Sequence, residues 1–290
     1  MNLRELTYLF ILAALWGASF LFVRIASPAL GPFVTIELRV LIAGLVLLAY
    51  AFFTRKKINI LKRWRQYLIL GTINAAVPFT LIAVASLTLT SSLASILNAM
   101  TPIFGTMIAW FSLKEEITLK KIFGMIVGFT GVVILMGWSP LQREKIVFLS
   151  AGCSILAAVF YGMGSVYVKK HFKGENFLSI SIGQQMAAAL VVLPTVMIPV
   201  SDRYINTEVI VSIIGLSVFC TALAYFFYFY LIEHAGPTKA ITVTFLIPFF
   251  GVLWGMVFLN EPISFGMIIG LLTIVAGVLI ITDAKIKQLF

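Results

Sequence analysis

One stretch of this chain occurs twice, and the repeat limits how everything around it can be arranged. The first copy, within residues 98–135, carries Thr101-Pro102-Ile103-Phe104, then Leu113-Lys114-Glu115-Glu116-Ile117-Thr118, then Gly124 and Gly131. The second carries Ile247-Pro248-Phe249-Phe250, then Leu259-Asn260-Glu261-Pro262-Ile263-Ser264, then Gly270 and Gly277. Pro102 to Pro248 and Glu115 to Glu261 are the same step of 146 residues. One unit therefore covers about half of the 290 residues, which makes this a duplication and not an array of short repeats.

The solvent of these units follows from composition. Hydrophobic residues make up 61% and charged residues 11%, against roughly 25% charged in a water-soluble domain. Too few polar side chains are left to cover a surface in water, so the surroundings are lipid. The net charge of +10 does not indicate a nucleic-acid partner. The basic residues sit in short loops between apolar runs, where membrane proteins carry their orientation signal. Cys153 and Cys220 fall inside apolar runs and read as packing residues, not disulfide partners. No spacing suggests a metal or a cofactor. The first apolar run is too long for a signal-peptide core, and no small-residue cleavage site follows it, so it reads as a retained helix.

About 20 apolar residues span a bilayer. Ten such runs are expected, at residues 6–25, 33–53, 67–87, 93–113, 119–138, 146–168, 177–200, 209–232, 239–259 and 263–282. With the N-terminus in the cytoplasm, sixteen basic residues fall inside, among them Arg55, Lys56, Lys57, Lys120, Lys169, Lys239, Lys285 and Lys287. Four fall outside: Arg24, Arg143, Lys145 and Arg203. This bias predicts both termini cytoplasmic, in a multi-pass protein of the plasma (inner) membrane. Five helices per half is an odd number, so the second half must run through the membrane in the opposite sense. The expected fold is an all-α integral membrane protein of two inverted five-helix repeats. Residues 1–138 form the first repeat, 139–145 an external linker and 146–290 the second. Inverted repeats are a common transporter architecture.

The chain resembles the EamA-type transporters of the drug/metabolite transporter superfamily. The first half carries Leu15-Trp16-Gly17-Ala18-Ser19-Phe20, Glu37-Leu38-Arg39, residues 92–98, Pro102, residues 113–118, Gly124 and Gly131. The second carries Tyr161-Gly162, residues 240–248 and 259–264, Gly270 and Gly277. The halves differ where Arg39 meets Gln184 or Gln185. The resemblance implies a ten-helix carrier whose first, third, fourth, sixth, eighth and ninth helices line a central cavity. Many such relatives export amino acids or other small metabolites.

An ionisable residue at membrane depth defaults to a functional hypothesis. Glu37 and Arg39 are the gating or coupling candidates, with Glu37 the carboxylate for proton coupling. Arg39 alternatively ties neighbouring helices together. Pro102 and Pro248 each remove a ladder hydrogen bond and are expected to kink their helices. Matching breaks in two halves point to a midplane site. One turn before them lie Asn98 and Thr244. Pro78 and Asn74 repeat the arrangement in the third helix. Trp16 and Ser19 share a face of the first helix, Tyr161 takes the place of Trp16 in the second half, and Tyr225 and Tyr228 share a face of the eighth. An aromatic box of these residues suits a cationic or zwitterionic ammonium group by cation–π attraction. For several of them the alternative is plain packing or lipid contact. Glu115 and Glu261 are expected to cap the helices that follow them.

The reading that follows is a secondary carrier, an exporter of small organic metabolites such as amino acids, with membrane lipid and a small-molecule substrate as its partners. The oligomeric state stays open. An uptake carrier or exchanger for a cationic or zwitterionic metabolite is the alternative. A membrane enzyme is disfavoured, because no nucleophile–base set, metal cluster or nucleotide loop is present.

Overall fold

A backbone amide in hydrocarbon must find its partner within its own segment, which leaves an unclosed chain only the helix. The computed structural model describes residues 2–56, 58, 60–138, 144–198, 203–235, 240 and 243–281. All regular elements among the described residues are helical. Ten apolar helices follow one another: α1 (Leu3–Leu30), α2 (Pro32–Phe53), α3 (Trp64–Ala85), α4 (Ser91–Leu113), α5 (Leu119–Gly137), α6 (Lys145–His171), α7 (Phe177–Met197), α8 (Thr207–His234), α9 (Val243–Leu259) and α10 (Phe265–Ile281). The last two, at 17 residues each, reach the lower limit for a span. Linker residues 139–143, Lys57, the turns at Ser201-Asp202 and Gly236-Pro237, Lys239, Lys285 and Lys287 lie outside the described residues.

Polar side chains start the helices. Asn2 and Glu5 form a reciprocal capping box on α1, at 2.8 and 3.0 Å. Thr90, Thr118, Asn176 and Asn206 cap α4, α5, α7 and α8. Between α1 and α2 the chain turns on Gly31 alone, at φ 83°, a backbone region that a side chain would strain. Pro32 then supplies a preset helical φ where no N–H is needed.

Three helices are irregular in mid-membrane. α3 widens into a π-helical turn over Thr72–Ala76, just ahead of Pro78. A proline ring clashes with the carbonyl one turn back, and the wider turn makes room for it. α8 widens likewise over Gly215–Leu223, one repeat step from the first, although Ala224 stands where α3 has Pro78. α4 breaks at Ala99–Met100, and Pro102 opens its second segment, Thr101–Leu113. Pro248, by contrast, lies within an unbroken α9.

The packing between halves is reciprocal. α1 lies against α9 and α8, as α6 lies against α4 and α3, while α2 meets α7, α4 meets α9 and α5 meets α10. Each of these pairings maps onto another, or onto itself, when the halves are exchanged. Both basic loops flanking α3 and α6 lie at one end of the bundle, where Arg63 donates to the His171 carbonyl at 2.8 Å and pairs with Glu175 at 3.6 Å. At the opposite end Arg24 donates to the Ser86 carbonyl.

Helices α5 and α10 approach through glycine. A β-carbon on Gly277 would lie 2.5 Å from the Gly128 nitrogen and 2.6 Å from the Gly124 carbonyl oxygen. Gly277→Val is therefore expected to lower the melting temperature in detergent by several degrees, corresponding to about 1–3 kcal/mol of overpacking. Gly137→Ala, where a β-carbon meets nothing within 4 Å, should leave it unchanged. Equal melting for Gly277→Val and the parent would contradict this packing.

Candidate functional site

One group of polar residues converges around Arg39. Helix α2 places it seven residues in from Pro32, about 10 Å along the axis, and only 6% of its surface is exposed. Its Nε donates to Thr221 Oγ1 of α8 at 3.1 Å. Its guanidinium lies over the Phe79 ring of α3, 3.6 Å from the centroid, and that ring sits 6.1 Å from Tyr161 of α6. Tyr161, Tyr225 and Cys220 are the titratable side chains acting on it. Among the described residues no carboxylate forms an ion pair with Arg39.

A chain of amides and a phenol runs beside this cation. Asn74 of α3 donates to Gln184 Oε1 of α7 at 2.9 Å, and Gln184 donates in turn to the Tyr225 hydroxyl of α8. Gln185 is fully buried next to the same hydroxyl, and among the described residues neither its Oε1 nor its Nε2 meets full hydrogen-bond geometry. Tyr225 stacks on Phe229 at 5.7 Å. Tyr228 lies 5.3 Å from Trp16 of α1. Trp16, Asn74, Tyr161, Tyr225 and Tyr228 all keep accessible surface.

The remaining predicted residues are placed differently. Ser19 turns its hydroxyl back onto the Trp16 carbonyl of its own helix at 2.7 Å. Asn98 ends the first segment of α4, and its buried Oδ1 has no hydrogen-bond partner among the described residues. Thr244 is half-buried at the start of α9. Glu37 is buried, 6% exposed, and its Oε2 has no hydrogen-bond partner among the described residues. It forms no ion pair with Arg39 there, as their i, i+2 spacing on one helix requires. Pro78 follows the π-helical turn of α3; Pro102 and Pro248 lie in α4 and α9.

Sequence reasoning passed over Thr221 and Phe79 and treated Gln184 and Gln185 only as a departure from symmetry. The two adjacent amides in an otherwise apolar helix were a usable signal, since such groups in lipid seek partners. Thr221 carried none: a hydroxyl in a helix normally bonds its own backbone.

Glu261 acts on a different helix from the one expected. α10 is started by Ser264, whose Oγ accepts from Met267 at 3.1 Å, and α5 by Thr118, at 3.3 Å from Lys121. The backbone at Asn260 is left-handed, φ 51°, and the Glu261 carboxylate turns onto the start of α4. Its Oε1 accepts from Ser91 N at 2.7 Å, and its Oε2 from Ser92 N at 3.0 Å and from the Ser92 hydroxyl. The equivalent residue Lys114 is also left-handed, φ 54°, yet Glu115 pairs with Lys169 at 2.5 Å, at the exposed end of α6.

Ten apolar helices enclosing one cluster of cation, amides and phenols are the build of a multi-pass membrane transporter. Comparison with known proteins narrows this. The model of the EamA-like transporter family matches residues 3–137 and again 149–283, and the chain belongs to that family. It is 26% identical to the uncharacterized transporter YvbV of Bacillus subtilis (strain 168), over 96% of this chain and 91% of that one. It is 24% identical to Protein PecM of Dickeya dadantii (strain 3937), over 96% and 92%. It is also 24% identical to the uncharacterized inner membrane transporter YedA of Escherichia coli (strain K12), over 96% and 90%. A solved crystal structure shares the fold with a TM-score of 0.69 at 16% identity, covering 97% of this chain and 96% of its own.

Replacing Glu261 by Ala would leave two backbone N–H groups and a hydroxyl buried without an acceptor, at a cost of about 1–3 kcal/mol. The expected result is a clearly lower melting temperature in detergent, with Glu261→Gln intermediate. Glu115→Ala breaks only an exposed pair worth about 0–1 kcal/mol and should melt like the parent. Similar losses at both positions would refute the asymmetry.

Proposed function

We propose that this protein is a secondary carrier that exports small organic metabolites, amino acids among them, by alternating access around the Arg39–Gln184–Tyr225 cluster. The observation that carries the reading is the cluster's make-up: α2 and α3 of one half and α6, α7 and α8 of the other each contribute a side chain. A site shared between halves changes its exposure when the halves rock against each other. Two five-helix repeats of opposite sense, with both termini cytoplasmic, fit the odd helix count and the reciprocal packing. Glu261 on the start of α4 then serves as a latch holding the outer end closed. Glu115, held by Lys169 on the surface, leaves the inner end unlatched. No group in the cluster makes or breaks a covalent bond on this reading, so the chain is not an enzyme.

Uptake or exchange of a cationic or zwitterionic metabolite is the second reading, favoured by the aromatic pair Trp16 and Tyr228 beside the cluster.

Counterflow in proteoliposomes tests the function. Labelled amino acids should exchange for unlabelled ones without chemical change, and Tyr225→Ala or Tyr228→Ala should slow exchange at least several-fold. No exchange across the amino-acid set would reject amino-acid export. A chemically altered solute would make the protein an enzyme.

Orientation has its own check. A membrane-impermeant maleimide applied to intact cells should label Arg203→Cys and spare Lys62→Cys and Lys170→Cys until the cells are opened. Labelling of Lys62→Cys and Lys170→Cys from outside would invert the topology, and labelling of one alone would dismantle it.

A further inference from the structure

We infer that the Arg39 guanidinium is the docking point for a carboxylate of the transported solute. This rests on the carrier reading above and goes further, by assigning the charged group the solute must carry.

A guanidinium has five N–H donors and no acceptor. Only one donor of Arg39, at Nε, closes a hydrogen bond among the described residues, to Thr221. The two terminal nitrogens close none, and no described carboxylate, Glu37 two residues away included, comes within ion-pair distance. A buried cation without a counter-ion is costly, and the Phe79 ring face compensates only in part. A ring against the flat face leaves the edge of the guanidinium, where the terminal N–H groups point, for an in-plane acceptor. A carboxylate fits that edge with two parallel hydrogen bonds.

Charge balance selects the carboxylate over a phosphate. The cluster holds one cation: Gln185, one repeat step from Arg39, is neutral. A carboxylate's single negative charge neutralises Arg39 and leaves a zwitterion's ammonium to the aromatic pair Trp16 and Tyr228, whereas a phosphate dianion would bury an excess negative charge. The buried amide of Gln185, beside Tyr225, is placed to meet the solute's remaining polar groups. A brace between helices needs neither the open donors nor the missing counter-ion.

The test compares matched solutes on the purified full chain in detergent: amino acids such as leucine and phenylalanine, their amides, and inorganic phosphate. Binding is read as a rise in melting temperature with concentration. The acids should stabilise the wild type and the amides and phosphate should not. Arg39→Gln should weaken acid binding by about tenfold or more, the loss expected when a charge-assisted hydrogen bond goes, with Arg39→Lys between. The wild-type comparison of acid with amide needs no variant, so it decides even if Arg39→Gln fails to fold. Amides binding as well as acids, phosphate binding in place of acids, unchanged acid binding in Arg39→Gln, or no acid binding at millimolar concentration would each overturn the assignment. Counterflow of an amide by the wild type would at the same time leave the carrier reading standing.

Discussion

Hydrocarbon offers the backbone no hydrogen-bonding partner, so wherever a helix of this bundle departs from its regular ladder, the freed groups must be answered from within the protein. The mid-membrane departures are few, in α3, α4 and α8. In α3, Thr72 bonds the Leu68 carbonyl at 2.8 Å. In α8, Ser217 bonds Ile213 at 2.7 Å and Thr221 bonds Leu216 at 2.8 Å. In α4, Thr101 bonds Asn98 at 2.8 Å. A π-helical turn takes up an extra residue and rotates everything after it about the helix axis. Phe79 and Tyr225 come directly after the two wide turns, and both face the Arg39 neighbourhood. The widened turns and the polar cluster are one feature: the backbone is irregular where the side chains have to converge.

The same rule governs the helix ends, where the first N–H groups lack partners. Most are answered locally by a Thr, Asn or Ser. The start of α4 receives in addition a carboxylate from the turn between α9 and α10. That carboxylate is worth more than its exposed counterpart Glu115, because three buried donors depend on it and water cannot replace it. An acid that caps a helix across the interface between halves ties the closure of one end to the mutual position of the halves. On the carrier reading, this makes the repeated Leu-x-Glu turn a mechanical part and not a solute site.

Much of this was legible in the sequence, for a reason particular to lipid: with water excluded, apolar run length alone settles helix count and position. The matching glycines Gly124, Gly131, Gly270 and Gly277 were visible as repeat positions, whereas Pro28 lies inside α1, which runs on to Leu30. What escaped was every property decided by partners distant in the chain. Glu261 meets Ser91 and Ser92, some 170 residues away, and only the fold brings them together. The wide turn in α8 lacks the proline that announced its counterpart. Arg39 was visible as a charge, but whether a carboxylate pairs with it is decided by the fold, and among the described residues none does.

The two halves also annotate each other. Several scaffold positions are identical between them: Pro102 and Pro248, Glu115 and Glu261, Gly124 and Gly270, Gly131 and Gly277. Positions in the central cluster are not. One repeat step takes Arg39 to Gln185, Asn74 to Cys220, Phe79 to Tyr225 and Ala75 to Thr221. A symmetric scaffold with a symmetric centre would present the same groups to both ends of a solute. Here one half brings the cation and a single amide, and the other brings the phenol, the hydroxyl and two further amides. On the carrier reading, such a centre would distinguish the two ends of its solute, as one charged end and one apolar or differently charged end requires. The divergence follows the chemistry of the cluster, which is why the symmetry that made the fold readable fails at the site.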